Sequence, residues 1–158
     1  MAANEYCFLT QWRVRGSLVQ VYDLITDAQS YLRWWPQVYL EVEPVIPPGK
    51  HGLGASFNLH TRGRLPYTLR WTARIIDTRF PNGLTITATG DFVGRGIWSF
   101  EQEDASVRIS FDWRLRAEKP LLKHLSFLLK PLFSANHRWA MARGEEGLQN
   151  ELARSNTR

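Results

Sequence analysis

The run from Ser106 to Lys119 constrains this chain more than any other. Val107, Ile109, Phe111, Trp113 and Leu115 alternate there with Arg108, Ser110, Asp112, Arg114 and Arg116, giving an extended segment one apolar and one polar face. A strand of this kind belongs to an antiparallel sheet whose apolar face has to be covered. Only one long amphipathic element is available to cover it, the helical-period segment that follows Pro120. The expected class is α+β, a curved antiparallel sheet gripping a carboxy-terminal helix.

The rest of the chain fits that frame. Tyr6, Phe8, Trp12 and Val14 alternate with Cys7, Gln11, Arg13 and Arg15, a first strand that Gly16-Ser17 ends. Ser17 with Gln20 matches a capping box, and Leu18, Val21, Tyr22 and Ile25 recur at helical spacing. Thr26-Asp27 breaks that helix and can cap a short second one through Tyr31 to Trp35, stopped by Pro36. Strand signals then cover Tyr39 to Val45, Ala55 to Arg62, Tyr67 to Arg79, Leu84 to Thr89, Gly94 to Glu101 and Ser106 to Lys119. Pro81-Asn82-Gly83 reads as a hairpin turn, and the short connections predict a meander. Beyond Pro120 the reading is a first helical segment over Leu121 to Leu129 and a main helix over Leu132 to Leu152. Pro131 sits in that helix's first turn, because a proline further inside removes a donor and clashes with the preceding turn. The order is β-α-α-β6-α, about seven strands, read as a single domain over 1–158 with its ordered core at about 5–153.

Composition excludes several classes. The net charge is +5, but the arginines are scattered over alternating strand positions, as on a solvated outer face, so no nucleic-acid partner is expected. The one cysteine, Cys7, allows no intrachain disulfide, and the amino terminus lacks the pattern of a secretory signal. No apolar run approaches the ~20 residues of a membrane span. A cytoplasmic protein is the expectation. His51, His60, His124 and His137 do not fall at metal-ligand spacings, and neither a phosphate-binding glycine loop nor a Gly-x-Ser-x-Gly elbow is present, so no metal and no cofactor is expected.

On a wheel of about 100° per residue, Leu132, Asn136, Trp139, Ala140 and Arg143 share one side of the final helix, which is taken to face the sheet. Gly144 and Gly147 lie close by, and helical glycine costs about 1 kcal/mol, which a close approach to sheet or ligand would offset. Asn136 could orient a ligand carbonyl or hydroxyl, or be satisfied by strand backbone or water. Arg143 could neutralise an anionic ligand group or pair with a carboxylate. His137 could act as a general base, although a helix-flank histidine is the safer expectation. Phe57, Tyr67, Trp71, Trp98, Phe111, Trp113 and Trp139 complete the expected ligand-binding set, with plain core packing as the alternative for the tryptophans. Asp112 should face outward and pair with an arginine of a neighbouring strand. Leu121 to Phe133 holds more apolar bulk than one packed side needs, flanked by Lys123 and Lys130, and reads either as a cavity lid or as a transient membrane contact.

Three stretches carry a family resemblance: Val21-Tyr22-Asp23-Leu24-Ile25-Thr26-Asp27 running on to Trp34-Trp35-Pro36, then Asp112-Trp113-Arg114, then Asn136 to Met141 running on to Gly144-Glu145-Glu146-Gly147-Leu148. With the element order, they resemble the START-like superfamily of polyketide cyclase/dehydrase and lipid-transport proteins, in its bacterial cyclase-like branch. The resemblance implies a helix-grip fold with an apolar cavity between sheet and helix. It leaves three functions open: binding of a hydrophobic or aromatic, lipid- or polyketide-like small molecule; a cyclase/dehydratase-type enzyme acting on such a ligand; or an interaction domain whose cavity is filled by its own tryptophans.

Overall fold

The alternation is realised, in a computed structural model that describes residues 4–156, as β1 (Glu5–Arg15), β2 (Tyr39–Ile46), β3 (Ser56–Arg62), β4 (Thr68–Arg79), β5 (Gly83–Gly90), β6 (Phe92–Glu103) and β7 (Ser106–Ala117). Each of the six later strands ends within two residues of its expected bounds. They form one seven-stranded antiparallel sheet in the order β1-β7-β6-β5-β4-β3-β2. β1 lies along β7 from Glu5 opposite Arg116 to Arg15 opposite Ser106, which closes the meander at its far edge. Helix α1 (Leu18–Thr26) starts on the full capping box: the Gln20 N–H donates to Ser17 Oγ at 3.3 Å and the Ser17 N–H donates to Gln20 Oε1 at 3.0 Å. A 3-10 turn (Ala28–Ser30) leads into the short α2 (Tyr31–Trp34).

Local readings change in three places. The hairpin turn is Phe80-Pro81-Asn82, with Gly83 already in β5 opposite Arg79, where a side chain would overlap the Trp98 carbonyl of β6. Asp112 does face outward, but its partner is Arg114 of the same strand, 3.2 Å away. And α3 is one helix, Pro120–Asn156, with Pro131 inside it. Proline can be accommodated there because Phe127, whose carbonyl it leaves without a donor, is an exposed residue, so water can replace the lost bond.

The buried line of α3 is also turned by about one residue, roughly 100°, from the expected stripe. Met141, Gly144, Leu148, Glu151 and Leu152 are buried, whereas Leu132 is exposed and Trp139 is only half-buried. The two glycines explain the rotation. A methyl on Gly144 would sit 2.5 Å from the Trp35 ring, and one on Gly147 would overlap the Trp34 carbonyl oxygen. The close approach that offsets their helical cost is made chiefly to the Trp34-Trp35 pair and, at Gly144, to the sheet as well, where a methyl would stand 2.8 Å from the Trp12 ring of β1. Arg33 of α2 pairs with the buried Glu151, whose other oxygen takes Arg154 Nη2 at 2.6 Å, and this fixes the same contact from one turn further along.

Helix propensity alone says that Gly147→Ala should gain about 1 kcal/mol. The contact with Trp34 says the reverse. We expect the variant to lose roughly 1–3 kcal/mol in urea unfolding, the cost of overpacking; a gain would mean that α2 and α3 do not touch there.

Candidate functional site

Between the concave face of the sheet and α3 lies a cavity of about 200 Å³. The inward positions of the strands build its wall because side chains two apart share a face. Trp98 stacks on Phe111 with ring centroids 4.0 Å apart, Phe111 stacks on Trp113 at 5.2 Å, and Trp71 leans on Trp113 at 5.9 Å. Gly96, opposite Trp113 in the register, leaves room for these rings to lie across β6: a methyl there would stand 2.6 Å from the Phe111 ring. Tyr31, Trp35 and Tyr39 close one end, and Tyr6, Tyr67, Leu122 and Phe133 line the other.

Most polar groups in this wall are already satisfied. The Trp71 Nε1–H donates to Thr61 Oγ1 at 3.2 Å, and the Trp35 Nε1–H to the Ala140 carbonyl at 2.9 Å. The Tyr31 hydroxyl donates to the Ile25 carbonyl, and the Tyr6 hydroxyl to Ser126 Oγ at 2.8 Å. Among the described residues the hydroxyls of Tyr39 and Tyr67 donate to nothing, and His137 Nε2 is buried without a partner. Burial raises the Tyr39 phenol well above its ordinary value and pushes Tyr67 up to about 12, with nearby Tyr6 adding to the latter. Burial likewise pushes the His137 imidazole down from 6.5 to about 4, helped by the Arg138 charge. All three are therefore neutral at pH 7: two phenol donors and one imidazole in an aromatic chamber.

The expected site residues divide accordingly. Phe57, Tyr67, Trp71, Trp98, Phe111, Trp113 and Asn136 line the cavity. Trp139 and Arg143 do not: Trp139 lies under the Arg64 guanidinium, 6.0 Å from its centroid, and Arg143 pairs with Glu146 at 3.4 Å on the helix surface. Asn136 Oδ1 accepts the Arg64 N–H at 2.7 Å, so its oxygen ties the β3–β4 loop to α3. His137, expected on the helix flank, instead faces inward and stacks on Phe8 of β1 at 4.0 Å. Tyr39 was missed too. It follows a helix stop, where its face could not be assigned by alternation alone.

A family model described as polyketide cyclase / dehydrase and lipid transport matches residues 14–142. The chain belongs to this family. No curated protein matches it by sequence. Among solved structures it is similar to a protein of Thermus thermophilus (16% identity, TM-score 0.80, 95% of this chain and 99% of that one). It is also similar to the Zhui aromatase/cyclase of a Streptomyces species (14%, 0.70, 95% and 94%) and to norcoclaurine synthase of Thalictrum flavum (12%, 0.65, 96% and 96%). At these identities the likeness shows the START-like helix-grip fold.

The depressed His137 pKa has a consequence for stability. Between about 6.5 and about 4 the unfolded chain binds a proton that the folded protein rejects, so stability is complete above pH 6.5 and falls as pH drops toward 4. The loss attributable to this residue should be roughly 2–3 kcal/mol. His137→Phe should flatten that part of a denaturant-midpoint-against-pH curve; an unchanged slope would place the imidazole in water.

Proposed function

We propose that the protein binds a largely apolar, flat small molecule, aromatic, polyketide-like or lipid-like, in the cavity between sheet and α3. The observation that carries this is the pairing of an aromatic-walled space with polar groups that have no protein partner. A cavity of about 200 Å³ exceeds the ~150 Å³ that accommodates benzene in an engineered case, so one or two rings fit without rearrangement. It also argues against an interaction domain filled by its own tryptophans. Tyr39 and Tyr67 would donate to ligand carbonyl or hydroxyl oxygens, and His137, being neutral, would complement a hydroxyl or keto group and not an anion. Asn136 sets the loop at the rim, with its amide nitrogen left over for the ligand.

A cyclase/dehydratase reading has one observation in its favour, the unpartnered imidazole in the cavity wall. Of the three structural neighbours named above, two are named as enzymes, an aromatase/cyclase and norcoclaurine synthase. A histidine held at about 4 is a weak base, however, and general-base catalysis is most effective with a pKa near the working pH. Any acceleration would come mainly from holding a flexible chain in a reactive conformation. Binding is the reading the site supports best.

Native mass spectrometry of the purified protein, together with quenching of Trp71, Trp98 and Trp113 fluorescence by a two-ring phenol, tests it. Tyr39→Phe and Tyr67→Phe should each weaken binding about three- to tenfold, the worth of one hydrogen bond. Neither should lower the melting temperature, because neither hydroxyl has a protein partner to lose. If no ligand co-purifies and no quenching occurs with any ring compound tried, the binding reading is wrong.

A further inference from the structure

α3 carries apolar bulk on its outer side as well. Leu121 is 53% exposed, Phe127 72%, Leu128 65% and Leu132 49%. At about 100° per residue these fall with Pro131 and Ala135 in one arc, opposite the side that carries Leu122, Phe133 and His137. Packing does not call for them, since the cavity side has its own apolar residues. Scattered exposed leucines are ordinary, but a contiguous apolar patch with a cationic rim marks an interaction surface.

The charge around this face has one sign. No Asp or Glu occurs between Lys119 and Gly144, nor between Val45 and Ile76. These two acid-free segments meet in space: Asn136 holds the Arg64 backbone, Tyr67 meets Phe133 edge-on at 6.1 Å, and Arg64 lies over Trp139. Arg62, Arg64, Lys123, His124 and Arg138 are all exposed there, and among the described residues only Lys123 of these five has a carboxylate within 4 Å, Glu118 at 3.9 Å. Arg62 is the one exposed residue in the cavity lining, which puts the mouth at this end of the molecule. A second copy of the chain docked face to face would set these cations against one another. An anionic lipid surface complements both the charge and the apolar ridge. Among the described residues no helix is long and apolar enough to cross a membrane, so a contact made by this face would be interfacial.

We propose that the outer face of α3 from Leu121 to Leu132, with Arg62, Arg64 and Arg138 beside it, docks on an anionic bilayer and brings the cavity rim to the lipid headgroups. The apolar side chains enter the interface, and the guanidinium groups engage the phosphate and carboxylate groups of the lipids. Apart from Arg62 at the rim the surface lies outside the cavity, so this inference and the binding function can fail separately.

The test is co-sedimentation of the full chain with phosphatidylcholine vesicles, with and without phosphatidylserine, at low and high salt. The protein should bind the phosphatidylserine vesicles, release in high salt, and ignore phosphatidylcholine alone. Arg64→Gln with Arg138→Gln should lower partitioning about 25-fold, about fivefold for each charge. Phe127→Ser with Leu128→Ser should abolish it without shifting the melting temperature, since both side chains are exposed. Tyr39→Phe and Tyr67→Phe should leave it untouched. Absence of sedimentation at low salt overturns the proposal. So does binding that survives Phe127→Ser/Leu128→Ser, which would mean adsorption of a basic protein by charge alone. A dimer in sedimentation velocity that dissociates in that double variant, with no vesicle binding, would assign the ridge to a second copy and overturn it equally.

Discussion

The seating of Gly144 and Gly147 against Trp34 and Trp35 fixes the rotation of α3, and the site follows from it. Without side chains at those two positions the helix can approach the tryptophan pair, and Leu148 and Leu152 then fall into the main core. From there toward its amino terminus the helix is held differently. Between Leu122 and Met141 the only fully buried side chain is Ser126. That stretch spans the cavity, tied down at its edges. Tyr6 reaches Ser126, Lys130 donates to the Glu5 carbonyl, and His137 stacks on Phe8, all on β1; across the gap Asn136 holds the β3–β4 loop. A firmly packed half thus positions a half that roofs empty space.

The roof decides the chemistry. Desolvation disfavours the charged form of any titratable group it covers, so it moves phenols up and imidazoles down, and here it acts on Tyr39, Tyr67 and His137 together. The chamber has hydrogen-bonding capacity without charge. Of the residues that line it only Arg62, at the rim, carries a charge; on the outer face of the sheet Arg108 and Arg114 pair with Glu101 and Asp112. A ligand that keeps its charged group at the mouth and its rings inside matches that partition; one with a buried charge does not.

The sheet was legible because period-2 alternation is a local signal: every strand from β2 to β7 and the inward set Trp71, Trp98, Phe111 and Trp113 could be read from the residues themselves. The rotation of α3 was not, because the stripe was drawn through the bulky Leu132 and Trp139 and not through the small residues. Drawn through His137, Met141, Gly144, Leu148 and Leu152 it has helical spacing along its whole length. A polar first member and a glycine in the middle hid it from a hydrophobicity count. The same error put Arg143 on the cavity side and His137 on the helix flank. Pro131 misled for a different reason: proline's cost depends on whether the orphaned carbonyl meets water, which requires knowing the helix face first.

That dependence also explains the two apolar sides of the roof. A helix packed on a core needs one apolar stripe, and its outer face is free to be polar. A helix over a cavity is not pressed from below by a close-packed core, so its inward residues, Phe133 and Leu122, hold it less firmly than Leu148 and Leu152 do further along. Such a segment gains nothing in the folded monomer from Phe127 or Leu128, which stand in water where a lysine or glutamate would serve solubility better. Their stabilising contribution has to be found in another state. The roof carries its exposed apolar residues on the stretch of α3 that buries only Ser126 between Leu122 and Met141, beside Arg62, Arg64 and Arg138, so the proposed docking surface and the cavity rim share one end of the molecule.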